Sequence, residues 1–251
     1  MDFDLSLLLP FIAVGFAAQL VDGALGMAFG VISNTLLVGV LGVPPALASQ
    51  RVHVVECFTT ATSGISHLLH GNIDKALFFK LLIPGMIGGA LGAYVLTSLE
   101  ADVVKPFVLA YLTGIGLMLL WRGFKYPPQA RPAKVVAPLG LIGGFLDAEG
   151  GGGWGPVVTS NLLIQGADPR KVVGTVSAVE FFLTITISAA FVYHLGFADL
   201  AGATLGLLIG GVAAAPLGAW AAKHIPAKPM LVLVGVVLTL TSLFGIYRAL
   251  L

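Results

Sequence analysis

Four carboxylates sit deep inside apolar sequence: Asp22, Glu56, Asp147 and Glu180. An ionised carboxylate is expensive in a bilayer core, so each must be paired or hold a proton. Glu56 and Glu180 each fall near the middle of an apolar segment. At least one of them is expected to exchange protons. The structural alternative is that both brace broken backbone by accepting N–H bonds. Asp22 and Asp147 open two glycine-rich stretches, and Asp is a favoured helix N-cap. Capping is the preferred role for this pair, because a carboxylate beside a bound anion would repel it. His53 shares a helix face with Glu56, three residues on. Arg51 can compensate Glu56 or Asp22, or face an anion directly. His53 and Glu56 are too few ligands for a zinc site, so no metal is expected.

The glycine-rich stretches supply the second chemistry. They read Asp22-Gly23-Ala24-Leu25-Gly26-Met27-Ala28-Phe29-Gly30 and Asp147-Ala148-Glu149-Gly150-Gly151-Gly152-Gly153-Trp154-Gly155-Pro156. Asp22 matches Asp147 and Gly30 matches Gly155 at one constant offset. Glycine and proline disfavour helix here, and broken backbone at membrane depth must be buried or line a wet cavity. A helix restarting inside the membrane offers free N–H groups and the positive end of its dipole to an anion. Ser33 and Asn34 fall early in one restarted helix, and Thr159, Ser160 and Asn161 in the other. Their hydroxyl and amide donors suit a small oxyanion, although they also suit bonding to neighbouring helices. Residues 150–155 satisfy Gly-x-Gly-x-x-Gly, but no βαβ pattern surrounds them, and no lysine and hydroxyl follow as in a P-loop.

The elements that must position these groups follow from composition. The chain has 251 residues, 57% hydrophobic and 10% charged, with a mean hydropathy of +0.99. A soluble domain carries about 25% charged residues, so this composition implies an integral membrane protein. A net charge of +1 argues against nucleic acid as a partner. A single cysteine, Cys57, excludes an internal disulfide and reads as a small core residue. The acidic start, Met1-Asp2-Phe3-Asp4, does not resemble a cleavable signal peptide. Apolar segments are expected over 5–41 (broken at 22–30), 46–69, 76–97, 104–121, 135–164 (broken at 147–156), 171–193, 198–220 and 230–247. His67, His70 and His194 fall near segment ends. The glycines at 85, 88, 89 and 92, and at 206, 210, 211 and 218, read as close-packing faces.

The second half repeats the first: Glu56 falls on Glu180, His53 on Ser177, His70 on His194, and Lys105-Pro106 on Lys228-Pro229. If the first element of each half dips in and returns, three true crossings remain and the halves are inverted. Lys75, Lys80, Arg122, Lys125, Arg131, Lys134, Arg170, Lys171, Lys223 and Lys228 then share one side, against Arg51, Lys105 and Arg248 on the other. Four crossings per half would divide them almost evenly. The positive-inside rule therefore favours inversion, with the 122–134 linker in the cytoplasm.

The chain resembles the TauE/SafE family of sulfite and organosulfur-anion exporters. The resemblance is carried by Val21-Asp22-Gly23-Ala24-Leu25-Gly26-Met27, Ser49-Gln50-Arg51-Val52-His53-Val54-Val55-Glu56, Ser63-Gly64-Ile65-Ser66-His67 and Gly71-Asn72-Ile73-Asp74. In the second half it is carried by Phe145 to Pro156 and by Val173-Gly174-Thr175-Val176-Ser177-Ala178-Val179-Glu180-Phe181-Phe182. It implies export of sulfite or an organosulfonate. Arg51 and Glu149 depart from the usual residues at their positions, and both add charge near the expected site.

The resulting expectation is an all-α polytopic membrane protein of two inverted homologous repeats. Each repeat has a broken, re-entrant first helix element and three transmembrane helices. Residues 1–121 form one repeat, 122–134 the linker and 135–251 the other. The expected substrate-binding set is Ser33, Asn34, Gln50, Arg51, His53, Gly152, Gly153, Trp154, Thr159, Ser160, Asn161, Thr175 and Ser177. Glu56, Glu180, Asp22 and Asp147 serve proton coupling or structure. Alternating-access export across a bacterial inner membrane is the expected function. A passive anion channel and an uptake permease for another oxyanion are the alternatives. No catalytic motif argues for an enzyme, and no cofactor is expected. Partners are a sulfite-like anion and membrane lipid, with a homodimer left open.

Overall fold

A chain this apolar must satisfy its backbone polar groups internally, and it does so with helices. The computed structural model describes residues 5–25, 29–69, 71–124, 133–159, 161–162, 165, 167–196 and 201–224. In the last apolar segment it describes 232, 235–236, 239–240, 242–244 and 246–247. The helices are α1 (Leu5–Leu25), α2 (Phe29–Thr35), α3 (Pro45–Leu69), α4 (Lys75–Ser98) and α5 (Ala101–Phe124). They continue with α6 (Ala137–Gly150), α7 (Trp154–Thr159), α8 (Pro169–Leu195) and α9 (Ala201–His224). α2 runs on through wider, π-type turns over Leu36–Val40, and α7 is π-wound throughout. Such widened turns recur at functional sites. The described residues contain no strand.

The interruptions are narrower than the 22–30 and 147–156 expected. α1 continues past Asp22 to Leu25, and α6 continues past Asp147 to Gly150. Only residues 151–153 are non-helical in the second. α6 ends on Gly151 at φ 62°, a left-handed cap that glycine adopts without strain. Pro156 stands in the first turn of α7, where a missing N–H leaves no bond unmade.

Glycine faces set the helix pairing. α1 packs along α9, and α6 along α4. A Cβ at Gly15 would strike the Leu207 backbone, and one at Gly140 would press on Leu81. Gly88 and Gly92 seat α6 at Leu141 and Phe145, while Gly89 abuts Leu183 and Ile187 of α8. The opposite face of α4 is bulky and exposed: Phe79, Ile83, Ile87, Leu91 and Tyr94. Small residues toward protein and large apolar residues outward is the arrangement of a lipid-facing helix.

α3 and α8 pack together and run in opposite directions. Gln50 near the start of α3 donates to the Gly196 carbonyl beyond the end of α8 at 3.0 Å. Past the other end of α3, the Asp74 amide donates to Thr175 Oγ1 at 2.8 Å, and Lys171 Nζ to the Gly71 carbonyl at 2.7 Å. Among the described residues, α4 and the Lys171–Leu195 part of α8 are long and apolar enough alone to cross a membrane. α3 is long enough but carries Ser49, Gln50, Arg51, His53 and Glu56, which lower its hydropathy.

Candidate functional site

Both restarted helices are capped the same way. Asp22 Oδ1 accepts from the Phe29 amide at 3.3 Å, and Asp147 Oδ1 from the Trp154 amide at 2.8 Å. Each carboxylate reaches seven residues ahead, from the last turn of one helix to the first amide of the next. The sequence places Asp22 and Asp147 at the openings of the breaks; the structure holds them inside α1 and α6. A carboxylate on the last turn reaches across the gap because the gap is short. The first amide of each restarted helix is therefore occupied rather than bare.

The start of α2 meets the second interruption face to face. A Cβ on Gly30 would overlap the Gly151 carbonyl oxygen and crowd Glu56 Oε1. One on Gly152 would overlap the Val31 amide, and one on Gly151 would press on the Asn34 side chain. Asn34 Nδ2 donates to the Gly150 carbonyl at 2.5 Å, bonding α2 to the end of α6. Residues far apart in sequence thus share a backbone contact with no room for side chains.

α3 closes one side of this contact. Ser49 Oγ donates to the Ala148 carbonyl at 2.6 Å. One turn on, His53 Nε2 lies 3.1 Å from Asp147 Oδ2, with both residues buried. Glu56, one turn further, is also buried and keeps one oxygen, Oε2, without a hydrogen-bond partner. Glu56 lies within electrostatic reach of Asp22, Asp147 and Glu180, so all four carboxylates belong to one cluster. α5 closes another side: the Tyr111 ring lies against Gly150 and its hydroxyl against Gly153.

The structure sorts the expected substrate-binding residues. Gly152 and Gly153 lie in the interruption and Asn34 lies against it, while Ser33 stands on α2 and Thr159 at the end of α7, all buried. Ser33 Oγ, Asn34 Oδ1 and Thr159 Oγ1 have no hydrogen-bond partner. Buried hydroxyls left unmatched are uncommon and are suited to an incoming ligand. Other residues spend their polar groups on the fold. Trp154 is fully buried, and its indole N–H donates to the Val176 carbonyl at 3.2 Å while its ring packs against Gly85. Gln50 and Thr175 secure opposite ends of the α3–α8 pair. Asn161 Nδ2 donates within its own segment, to the Val157 carbonyl at 2.6 Å. Ser177 is buried on α8 and Arg51 partly buried on α3. Ser160 lies outside the described residues. No group of three or more His, Cys, Asp or Glu side chains suited to a metal occurs among the described residues.

A profile described as Sulfite exporter TauE/SafE matches residues 11–245. The chain belongs to the TauE/SafE family. It is 45% identical over 237 residues to a probable membrane transporter protein, YtnM, of Bacillus subtilis (strain 168), covering 91% of this chain and 79% of the relative. It is 25% identical over 222 residues to a probable membrane transporter protein of Haemophilus influenzae, covering 84% and 86%. No solved structure matches the chain. With its apolar, outward-facing helices, this TauE/SafE member is an integral membrane protein of a transporter family.

Two contributors in this TauE/SafE chain escape the sequence reading. Ser49 lies inside a family-like stretch, but its contact with α6 is tertiary. Tyr111 is the one tyrosine of the 104–121 segment, and that is its only signal. Its hydroxyl is buried and has no hydrogen-bond partner. Tyr111→Phe should change stability by less than about 1 kcal/mol, because no bond is lost. It should weaken anion binding by about tenfold if the hydroxyl serves the ligand. Thermal melting and anion titration of the same purified variant separate the two effects.

Proposed function

We propose that this chain is a secondary transporter that exports a small sulfur-containing anion, sulfite or an organosulfonate, across a bacterial inner membrane. It is a multi-pass carrier, not an enzyme, working by proton-coupled alternating access. Its halves, 1–121 and 135–251, are inverted repeats joined by the 122–134 linker. The observation that carries this reading is the start of α2 meeting the second interruption, Gly30 and Val31 against Gly151 and Gly152, with the unmatched Tyr111 hydroxyl at Gly153. In support of inversion, the α1–α9 and α6–α4 pairings exchange elements between the halves, and α3 opposes α8 in direction.

The arrangement suggests how the site works. Anion contacts come from the hydroxyls of Ser33, Thr159 and Tyr111 and from first-turn amides that Asp22 and Asp147 leave free. Four clustered carboxylates repel an anion unless protons accompany it. Proton and anion binding therefore favour each other, and that reciprocity is the coupling. Proton and anion then move together, so an inward proton gradient opposes export, and net outward flux needs a steeper outward gradient of the anion.

The test is flux in proteoliposomes at several pH values for wild type, Glu56→Gln and Glu180→Gln. At least one substitution should flatten the pH dependence, changing the coupling by about five-fold or more. Unchanged pH dependence in both removes the glutamates from coupling. A conductive, proton-independent current in the wild type would make the protein a channel.

A further inference from the structure

The His53–Asp147 contact carries information about protons that its length alone does not. His53 Nδ1 lies 2.8 Å from the Ser49 backbone carbonyl. A carbonyl oxygen only accepts, so Nδ1 bears a hydrogen. Ser49 Oγ, 3.2 Å from the same nitrogen, already gives its hydrogen to the Ala148 carbonyl. The other nitrogen, Nε2, faces Asp147 Oδ2 at 3.1 Å. An ionised carboxylate also only accepts, so that contact needs a second hydrogen, on Nε2 or on the carboxyl. Asp147 Oδ1 cannot take over the role, because it accepts from the Trp154 amide.

We propose that the buried His53–Asp147 pair holds one proton more than a neutral imidazole beside an ionised carboxylate, and that this proton is the one carried through the transport cycle. The coupling half of this inference rests on the transporter reading above. The proton sits at the seam between α3 and α6. Separating the tip of α6 from α3 breaks the Nε2–Oδ2 contact, removes the reason for the extra hydrogen and releases it. Opening the interruption and losing the proton become one event.

The groups facing the pair fit this role. Glu56 follows on α3, Asp22 approaches from α1 and Glu180 from α8, all within electrostatic reach of one another. Tyr111 of α5 lies within electrostatic reach of Asp147 and of Glu149 on α6. α8 also presents the Phe191 ring, 6.2 Å from the imidazole, so apolar surface backs the histidine. Glu56, with an unmatched oxygen one turn away, is placed to pass the proton onward.

The experiment is 15N NMR of full-length, histidine-labelled protein in lipid nanodiscs near neutral pH, with the His53 signal assigned by its loss in His53→Gln. Infrared spectra of wild type and Asp147→Asn are compared alongside. A doubly protonated ring supports the proposal. A singly protonated ring with a protonated-carboxyl band that disappears in Asp147→Asn supports it equally. A singly protonated ring with no such band overturns it. Asn at 147 keeps an oxygen for the Trp154 amide, so the cap survives. For coupling, pH-gradient-driven anion accumulation should fall about tenfold or more in both variants. Wild-type accumulation in both overturns the coupling role. Absence of anion flux in the wild type sinks the transporter reading, while the spectra still decide the proton.

Discussion

Replacing Gly30 with alanine should lower anion flux by about tenfold or more while the protein still inserts and folds. The added Cβ falls on the Gly151 carbonyl oxygen and beside Glu56 Oε1. A backbone carbonyl at the end of a helix cannot swing aside as a side-chain tip can, so α2 and the second interruption must separate. Overpacking of this kind costs about 1–3 kcal/mol, enough to shift a two-state population by about tenfold or more. The shift acts against the arrangement in which Gly30 meets Gly151, so flux falls more than stability does. Gly114→Ala is the control: it lies on α5, exposed, with nothing near its Cβ position. Proteoliposome flux normalised to inserted protein checks both. Equal flux from Gly30→Ala and wild type would mean that the contact of α2 with the second interruption is not part of the cycle.

Asp147→Ala should be the most destabilising of these substitutions. The side chain accepts the Trp154 amide at 2.8 Å and faces His53 at 3.1 Å, with almost no exposure. Alanine leaves a backbone donor and the imidazole Nε2 buried and unmatched. Losing one partner of a buried pair costs about 3–5 kcal/mol, and an N-cap contributes about 1 kcal/mol. Thermal melting in detergent should show a large drop for Asp147→Ala and a smaller one for Asp147→Asn, which keeps an oxygen for the cap. Asp22→Ala should cost less than Asp147→Ala, because its one described bond is longer, at 3.3 Å. An Asp147→Ala variant melting with the wild type would contradict the capping account.

The sequence carries much of this architecture because membrane burial writes it in composition. Apolar segments, glycine faces and the paired Asp22 and Asp147 are all periodic or repeated features. The interruptions are legible as breaks but not in length, since helix persistence to Leu25 and Gly150 depends on capping across a gap. Trp154 illustrates a second limit. A tryptophan beside glycines reads as a ligand contact, yet its pairing with Val176 and Gly85 comes from α8 and α4. Gln50 and Thr175 are polar residues in apolar helices, so each must bond to something, but their spacing does not say to what. Tyr111 and Ser49 gain their roles only through tertiary contact.

The most direct test of the central claim is saturable flux of 35S-labelled sulfite into proteoliposomes of the purified protein, against protein-free vesicles. The account predicts saturable uptake, inhibited by unlabelled sulfite and strongly reduced in Gly30→Ala. Flux no greater than in protein-free vesicles, for sulfite and for organosulfonates alike, would contradict it.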